Sequence, residues 1–334
     1  MSDTPPPVLI LAARESGGSL LSSLLGMHPG FCGAPHLNVL AFEAFWQLAQ
    51  YARIPRDSHM HGLLRFLGQE LMAEQTVQSV QAALRWLGRN ARDDSAADLH
   101  MRLRGLVAPR RLVDYSPLVS QNEPAMRRAV DALPQAHVIH LTRDPLSQGR
   151  AVSLPVWQSI TLSLDFWDRR GRLQPCMDVF EIGEQLIDWS CQPPVFDPQY
   201  AWYRTNDAAR RVLADLPAER VTRVELEALV ERPGEVLTGL LTRLGADADA
   251  ATVQAMLTGG LPGYAAPGPY TAPFGTDFEI VGLTIGDALR RAADRRSPGR
   301  ADRPLPWRGD GDTLLPKVAG LARDLGYPLA MPAE

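Results

Sequence analysis

The residues able to do chemistry gather first in Arg14-Glu15-Ser16-Gly17-Gly18-Ser19. Two glycines let a backbone pass close to a ligand, and two serines add hydroxyl donors beside main-chain N–H groups. A helix starting at such a turn points its positive end at the same spot, which makes the turn an anion site. The pattern GxxxxGK[ST] is absent, because no lysine follows the glycines. The only lysine in the chain is Lys317, so a clamp on an anion must come from arginine, hydroxyls and backbone. Two more polar groups follow short apolar runs: Asp114-Tyr115-Ser116-Pro117, and Arg143-Asp144-Pro145 ahead of Arg150 and Ser153. The plain alternative for the first turn is a packing turn between strand and helix.

These groups need elements to bring them together. Val8–Ala12 is a short β-branched and aliphatic run that reads as a buried strand, and Leu20, Leu21, Leu24 and Leu25 have helical spacing. Residues 110–113 and His137–Thr142 read as further strands, each ending at one of the polar groups, and residues 221–224 as another. Residues 30–48 read as a loop leading into an apolar helix, and residues 60–89 as two helices or one broken helix, followed by a polar break at 90–97. Helices are expected at 123–133, from 145 through Ser153, at 202–216, at 233–244 behind Pro233, and at 314–325. Strands alternating with helices predict an α/β fold: a central, mainly parallel sheet flanked by helices in three layers. In such sheets ligands bind outside the C-terminal strand ends, and the three polar groups meet at that edge.

The remaining sequence narrows the class. At 334 residues the chain fits one sizeable α/β domain, with residues 1–7 a flexible Pro-rich start. Residues 155–200, rich in aromatics such as Trp157 and Trp167, and residues 259–280, rich in Gly and Pro, read as substrate-covering or lid segments. A net charge of −4 gives no basic excess for nucleic acid. Cys32, Cys176 and Cys191 are too few and scattered for a disulfide framework or a zinc site, and no metal is expected. No apolar run spans a membrane and no signal peptide opens the chain, so a cytoplasmic protein is expected.

With Arg143-Asp144-Pro145 in place, the chain resembles the sulfotransferases that use 3′-phosphoadenosine 5′-phosphosulfate (PAPS), most of all the bacterial group acting on polyketides and other natural products. In that family a P-R-S-G-[ST]-T-L-L loop, a helix and H-P bind the 5′-phosphosulfate; here stand residues 14–21 and His28-Pro29. A strand ending in R-[DH]-P binds the 3′-phosphate; here it ends in Arg143-Asp144-Pro145. Asp114-Tyr115-Ser116-Pro117 matches D-K-S-P, Arg223-Val224-Glu225-Leu226-Glu227 resembles R-x-E-x-L, a P-x-x-V-L helix follows at residues 233–237, and Leu325-Gly326-Tyr327 matches the closing L-G-Y. Asp277-Phe278 resembles the late loop that closes over the adenine, without its basic residues.

The resemblance implies a P-loop-like sulfotransferase fold and PAPS as cosubstrate. It implies His36 as the base, standing where the family has an acid, with Arg14 and Asp114 at the reacting centre. Arg14, Ser16, Gly17, Gly18, Ser19 and Leu20 would hold the phosphosulfate, and Arg143 with Ser153 the 3′-phosphate. The acceptor would be a hydroxyl on a small molecule, free or carrier-bound. The departures are specific. Either Arg14 or Glu15 faces the anion, depending on which end of the loop is aligned; Tyr115 replaces a lysine; Ala151 stands where a serine is expected. They leave room for an alternative, a sulfotransferase-fold protein whose pocket serves another reaction or a binding partner.

Overall fold

The computed structural model describes residues 4–52, 59–121, 123–153, 187–188, 190–191, 195–295 and 303–327. Trp157 and Trp167, and most of the segment expected to cover the substrate at 155–200, lie outside them.

Five strands make the central sheet: β1 (Val8–Ala12), β2 (Phe31–Gly33), β3 (Arg111–Tyr115), β4 (His137–Thr142) and, after a small antiparallel pair β5 (Ile187–Asp188) and β6 (Val195–Phe196), β7 (Val221–Glu225). Their order is β2-β3-β1-β4-β7 and every pairing is parallel, with Val8 opposite both Val113 and His137. A parallel sheet is covered on both faces, which is why its central strand is a continuous apolar run. β1 shows this residue by residue. Leu9 and Leu11 enter one core with helices α3 (His61–Met72), α4 (Val77–Asn90), α5 (Ala96–Val107) and α6 (Glu123–Ala132). Val8, Ile10 and Ala12 enter the other with α1 (Gly18–Gly26) and α10 (Pro233–Arg243). Helices α2 (Phe45–Tyr51), α7 (Pro145–Val152), α8 (Gln199–Ala214), α9 (Leu226–Glu231), α11 (Ala250–Leu257), α12 (Ile285–Asp294) and α13 (Pro316–Asp324) complete the described set.

This is the α/β, three-layer arrangement expected. Three differences have local causes. The strand expected at 110–113 runs on through Asp114 and Tyr115, because both pair with β1. Residues 30–48 hold an edge strand, β2, too short for period-2 patterning to reveal. The polar break at 90–97 is only a turn: Ser95 caps α5, its hydroxyl accepting from the Asp98 N–H at 3.1 Å. Residues 259–283 carry no regular element, as expected of a Gly- and Pro-rich loop. None of the described helices is long and apolar enough to cross a membrane.

Candidate active site

The tip of β1 turns sharply before α1. The Ser16 N–H returns to the Ala13 carbonyl (3.1 Å), and Glu15 (φ 59°) and Gly17 (φ 84°) both take left-handed backbone. A Cβ on Gly17 would stand 2.8 Å from Leu226, and one on Gly18 2.3 Å from the Tyr115 ring. The glycines are therefore required by close neighbours on both sides. No side chain of the loop caps α1. Instead, Asp277 reaches in from the 259–283 loop, and its Oδ2 accepts from the Ser19 N–H at 3.2 Å.

His36 stands over this helix end. Its Nε2 is 2.9 Å from Ser19 Oγ and 3.4 Å from Asp277 Oδ1, and its ring meets Tyr115 edge-on at 5.4 Å. Ser19 Oγ already accepts from the Asp277 N–H (3.0 Å), so its own hydrogen is free for His36 Nε2. Which of the pair donates is set by the tautomer: with its proton on Nδ1, Nε2 accepts from Ser19 Oγ, the state a base needs, and with a proton on Nε2 the ring donates toward Ser19 Oγ and the Asp277 carboxylate. Burial pushes the Asp277 carboxyl up, but the hydrogen bond and charge of His36 and the Ser19 donors outweigh it and hold it below the usual range. Next to His36, burial first, then the Arg14 charge, push the His59 imidazole down to about 3, so that ring is neutral.

The arm that carries His36 is pinned along its length. The Ala34 N–H donates to the Val113 carbonyl (3.0 Å), Ser22 Oγ to the Ala34 carbonyl (3.0 Å), and the His36 N–H to Gly275 (2.8 Å). The Asn38 N–H donates to Ser116 Oγ (2.8 Å), which donates to Asp114 Oδ1 (2.7 Å). Asp114 is fully buried, and its second oxygen is 3.4 Å from His100 Nε2. It therefore does not reach the reacting centre expected for it; its carboxylate is spent beneath the arm, holding Ser116 and through it Asn38.

Arg143 lies across the loop from His36. The guanidinium is 1% exposed: Nη1 donates to the Glu15 carbonyl (2.5 Å) and pairs with Glu279 Oε1 (3.3 Å), while Nη2 has no hydrogen-bond partner among the described residues. Residues 142–144 are held from three sides. Trp202 Nε1 donates to the Arg143 carbonyl (2.8 Å), the Asp144 N–H donates to Glu227 (3.0 Å), and Tyr327 donates to Thr142 Oγ1 (2.8 Å). Asp144 then caps α7, accepting from Leu146 and Ser147. Ser153 sits at the far end of α7, about two turns away, with its hydroxyl on the Gly149 carbonyl (2.7 Å). Among the described residues no bond joins it to Arg143, from which it is set apart by the length of α7.

At the loop itself, Glu15 rather than Arg14 is the buried side chain, at 1% exposure. Burial first, then the Glu279 and Asp277 carboxylates, raise the Glu15 carboxyl well above its ordinary value. Arg14 is half-buried and lines a cavity of about 40 Å³ with Ala13, Ser120, Gln148 and Thr205, and its carbonyl accepts from Gln148 (2.8 Å). Ser16 Oγ is buried without a partner, and Leu20 is buried in the first turn of α1.

Glu43, the acid nearest to His36 in sequence, is exposed and bonds locally to Gln47 through its N–H. The carboxylate beside His36 is that of Asp277, a pairing hidden in the sequence because it lies 241 positions downstream of His36, in a loop with no periodicity. Glu227 and Trp202 also gave no sign as supports of Arg143. The 259–283 loop is fixed to α3 by Arg65, fully buried, which donates to the Phe274 carbonyl (3.0 Å), the Ala266 carbonyl (2.7 Å) and Gln75 (2.7 Å).

A sequence profile of the sulfotransferase family matches residues 6–250, the span from before β1 into α11. The chain belongs to the sulfotransferase family. No curated protein matches it in sequence. Among solved structures, the sulfotransferase domain from the Synechococcus PCC 7002 olefin synthase is 24% identical with a TM-score of 0.65, covering 99% of this chain and 98% of that one. The sulfotransferase domain from the curacin biosynthetic pathway is 20% identical with a TM-score of 0.64, covering 98% and 100%. At those identities the two establish the fold: this transferase has the sulfotransferase architecture over nearly its whole length.

Proposed function

We propose that this sulfotransferase moves a sulfuryl group from PAPS to a hydroxyl of a small natural-product acceptor. The observation that carries the reading is His36 Nε2 set 2.9 Å from Ser19 Oγ at the N-terminus of α1, a base beside an anion site. The orphaned donors fit the donor nucleotide: Nη2 of Arg143, at the end of β4, and the Ser16 hydroxyl, in the loop after β1, are buried with no hydrogen-bond partner among the described residues, at the two places where phosphate groups would sit. Arg143 would hold the 3′-phosphate. Ser16, Ser19 and the backbone from Gly17 to Leu20 would hold the phosphosulfate, with Arg14 beside them. His36 takes the acceptor's proton as its oxygen bonds to sulfur, and the sulfur–oxygen bond to the leaving phosphate breaks.

Tyr270, Phe274 and Phe278 are exposed on the 259–283 loop, and Phe274 stacks on His61 at 5.7 Å, an apolar rim suited to a carbon chain. The settings of the two structural neighbours, an olefin synthase and the curacin pathway, point the same way, toward an acceptor that is free or carrier-bound. A second reading, a pocket no longer used for PAPS, draws on Glu15, Asp277 and Glu279, whose carboxyl groups surround the loop.

The desulfonated product, 3′,5′-ADP, tests between them. At about 100 times its dissociation constant it should stabilise the protein by roughly 2.7 kcal/mol, and labelled PAPS should yield 3′,5′-ADP when a hydroxylated acceptor is present. No thermal shift and no binding heat at saturating nucleotide would reject the donor reading in favour of the second.

A further inference from the structure

One short segment supplies an anion to each of the two points where the nucleotide would place one. Asp277 sits at the N-terminus of α1, its Oδ2 on the Ser19 N–H (3.2 Å) and its Oδ1 3.4 Å from His36. Two residues on, Glu279 Oε1 is 3.3 Å from Arg143 and 3.1 Å from Arg295. Between them Phe278 turns outward, 40% exposed, while Ile280 is buried as an anchor. The turn is closed by the Ile280 N–H on the Asp277 carbonyl (3.2 Å). Both carboxylates are thus aimed inward by the backbone, and the aromatic between them is not needed for that.

We propose that Asp277 and Glu279 are internal stand-ins for the two phosphate groups of the nucleotide, and that they set its affinity by competing for the same donors. The proposal rests on the donor reading above. Three observations carry it. The donors taken by the segment are those that the helix end and Arg143 present to an anion. Arg143 is not satisfied by Glu279 alone, since its Nη2 remains without a partner at 1% exposure. And Glu15 adds a third carboxyl to the same enclosure, with one oxygen unpartnered, so the enclosure is not designed around its own acids. A ligand tethered in the same chain acts at an effective concentration near the millimolar range. While it occupies the donors, a free nucleotide sees only the fraction of molecules in which it has left, and the apparent affinity falls by that fraction. The assignment is also position-specific: Glu279 opposes the 3′-phosphate, and Asp277 the group at the 5′ end.

The test is calorimetric titration of the full chain and its Asp277→Asn and Glu279→Gln variants with 3′,5′-ADP and with 5′-AMP. The amides keep shape and remove charge. The expected result is that the double variant binds 3′,5′-ADP at least ten-fold more tightly than the unmodified protein. Glu279→Gln should tighten 3′,5′-ADP but not 5′-AMP, while Asp277→Asn tightens both. Hydrogen exchange on the unmodified protein supplies a readout independent of the variants: amides of residues 276–281 should exchange faster when 3′,5′-ADP is added. Binding by the unmodified protein with equal or weaker affinity in the variants, or slower exchange in the segment, overturns the competition and leaves the donor reading standing. Absence of nucleotide binding in every form removes the donor reading, and the competition with it.

Discussion

Replacing Gly18 by alanine should force the Tyr115 ring off the loop. The added Cβ would stand 2.3 to 2.5 Å from Tyr115 Cζ, Cε2 and Cε1, against the ~3.5–4.0 Å of an ordinary carbon contact. The ring is 1% exposed and lies edge-on to His36, so it has no open space to swing into. Overpacking of this kind costs about 1–3 kcal/mol. Alanine in the first turn of a helix returns up to ~1 kcal/mol relative to glycine, so a net loss of up to about 2 kcal/mol is expected. Shortening the ring isolates the cause. In a Tyr115→Leu background the same change should be neutral or slightly stabilising, giving a coupling energy of about 1–3 kcal/mol in the double-mutant cycle. A chain of this size moves its thermal midpoint by only about 1–2 °C per kcal/mol, so urea unfolding followed by circular dichroism is the better assay. If Gly18→Ala costs the same in both backgrounds, within ~0.5 kcal/mol, the ring does not rest on Gly18 and the account of the loop is wrong.

Three more outcomes follow from the site. His36→Gln keeps a hydrogen-bonding group near Ser19 but no base, so kcat in a sulfuryl-transfer assay should drop by ~10²–10⁴ while 3′,5′-ADP binding stays the same; kcat within five-fold of the starting protein would remove His36 from proton transfer. Burial, then the Glu279 and Asp277 carboxylates, raise the Glu15 carboxyl in the folded protein well above the 4.5 of the unfolded chain. Stability is therefore undiminished below that pH and is lost as pH rises above it, so the advantage of Glu15→Gln in unfolding free energy should grow from pH 4.5 toward neutrality, and a pH-independent difference would contradict it. Tyr327→Phe removes the hydroxyl that meets Thr142 and lies 3.3 Å from Glu227; it should cost about 1–3 kcal/mol in urea unfolding, and a neutral variant would show that Tyr327 does not brace β4.

Much of this molecule is legible in its residues. The apolar runs at β1 and β4 are long enough to announce buried strands, and the turns after them carry the groups that meet at the sheet edge. Elements escaped where the signal is short or shared. β2 has three residues, and α5 follows a polar turn that also reads as a loop. Within the site, local order was readable and long-range pairing was not. His36 could be singled out, but its contact with Asp277 depends on where an irregular loop lies. Asp114 looked like a group for the reacting centre because it ends a strand. Only the fold shows that extending β3 by two residues buries it under the arm. The choice between Arg14 and Glu15 turned on one left-handed residue, a conformation a glutamate seldom takes and a sequence does not announce.

Arg65 has a consequence for how the loop over the site can vary. Two of its guanidinium nitrogens hold main-chain carbonyls, at Ala266 and Phe274, and the third holds Gln75 beyond the loop. The loop is therefore gripped by atoms that every amino acid supplies. Substitutions at Asp277 and Glu279, just past the second grip, can alter charge over the helix end without touching these bonds, whereas a side chain at Gly268 would press on Arg65 itself, its Cβ 2.9 Å from Cδ and Nε. Such a frame lets affinity drift residue by residue under selection while the scaffold that carries it stays constant.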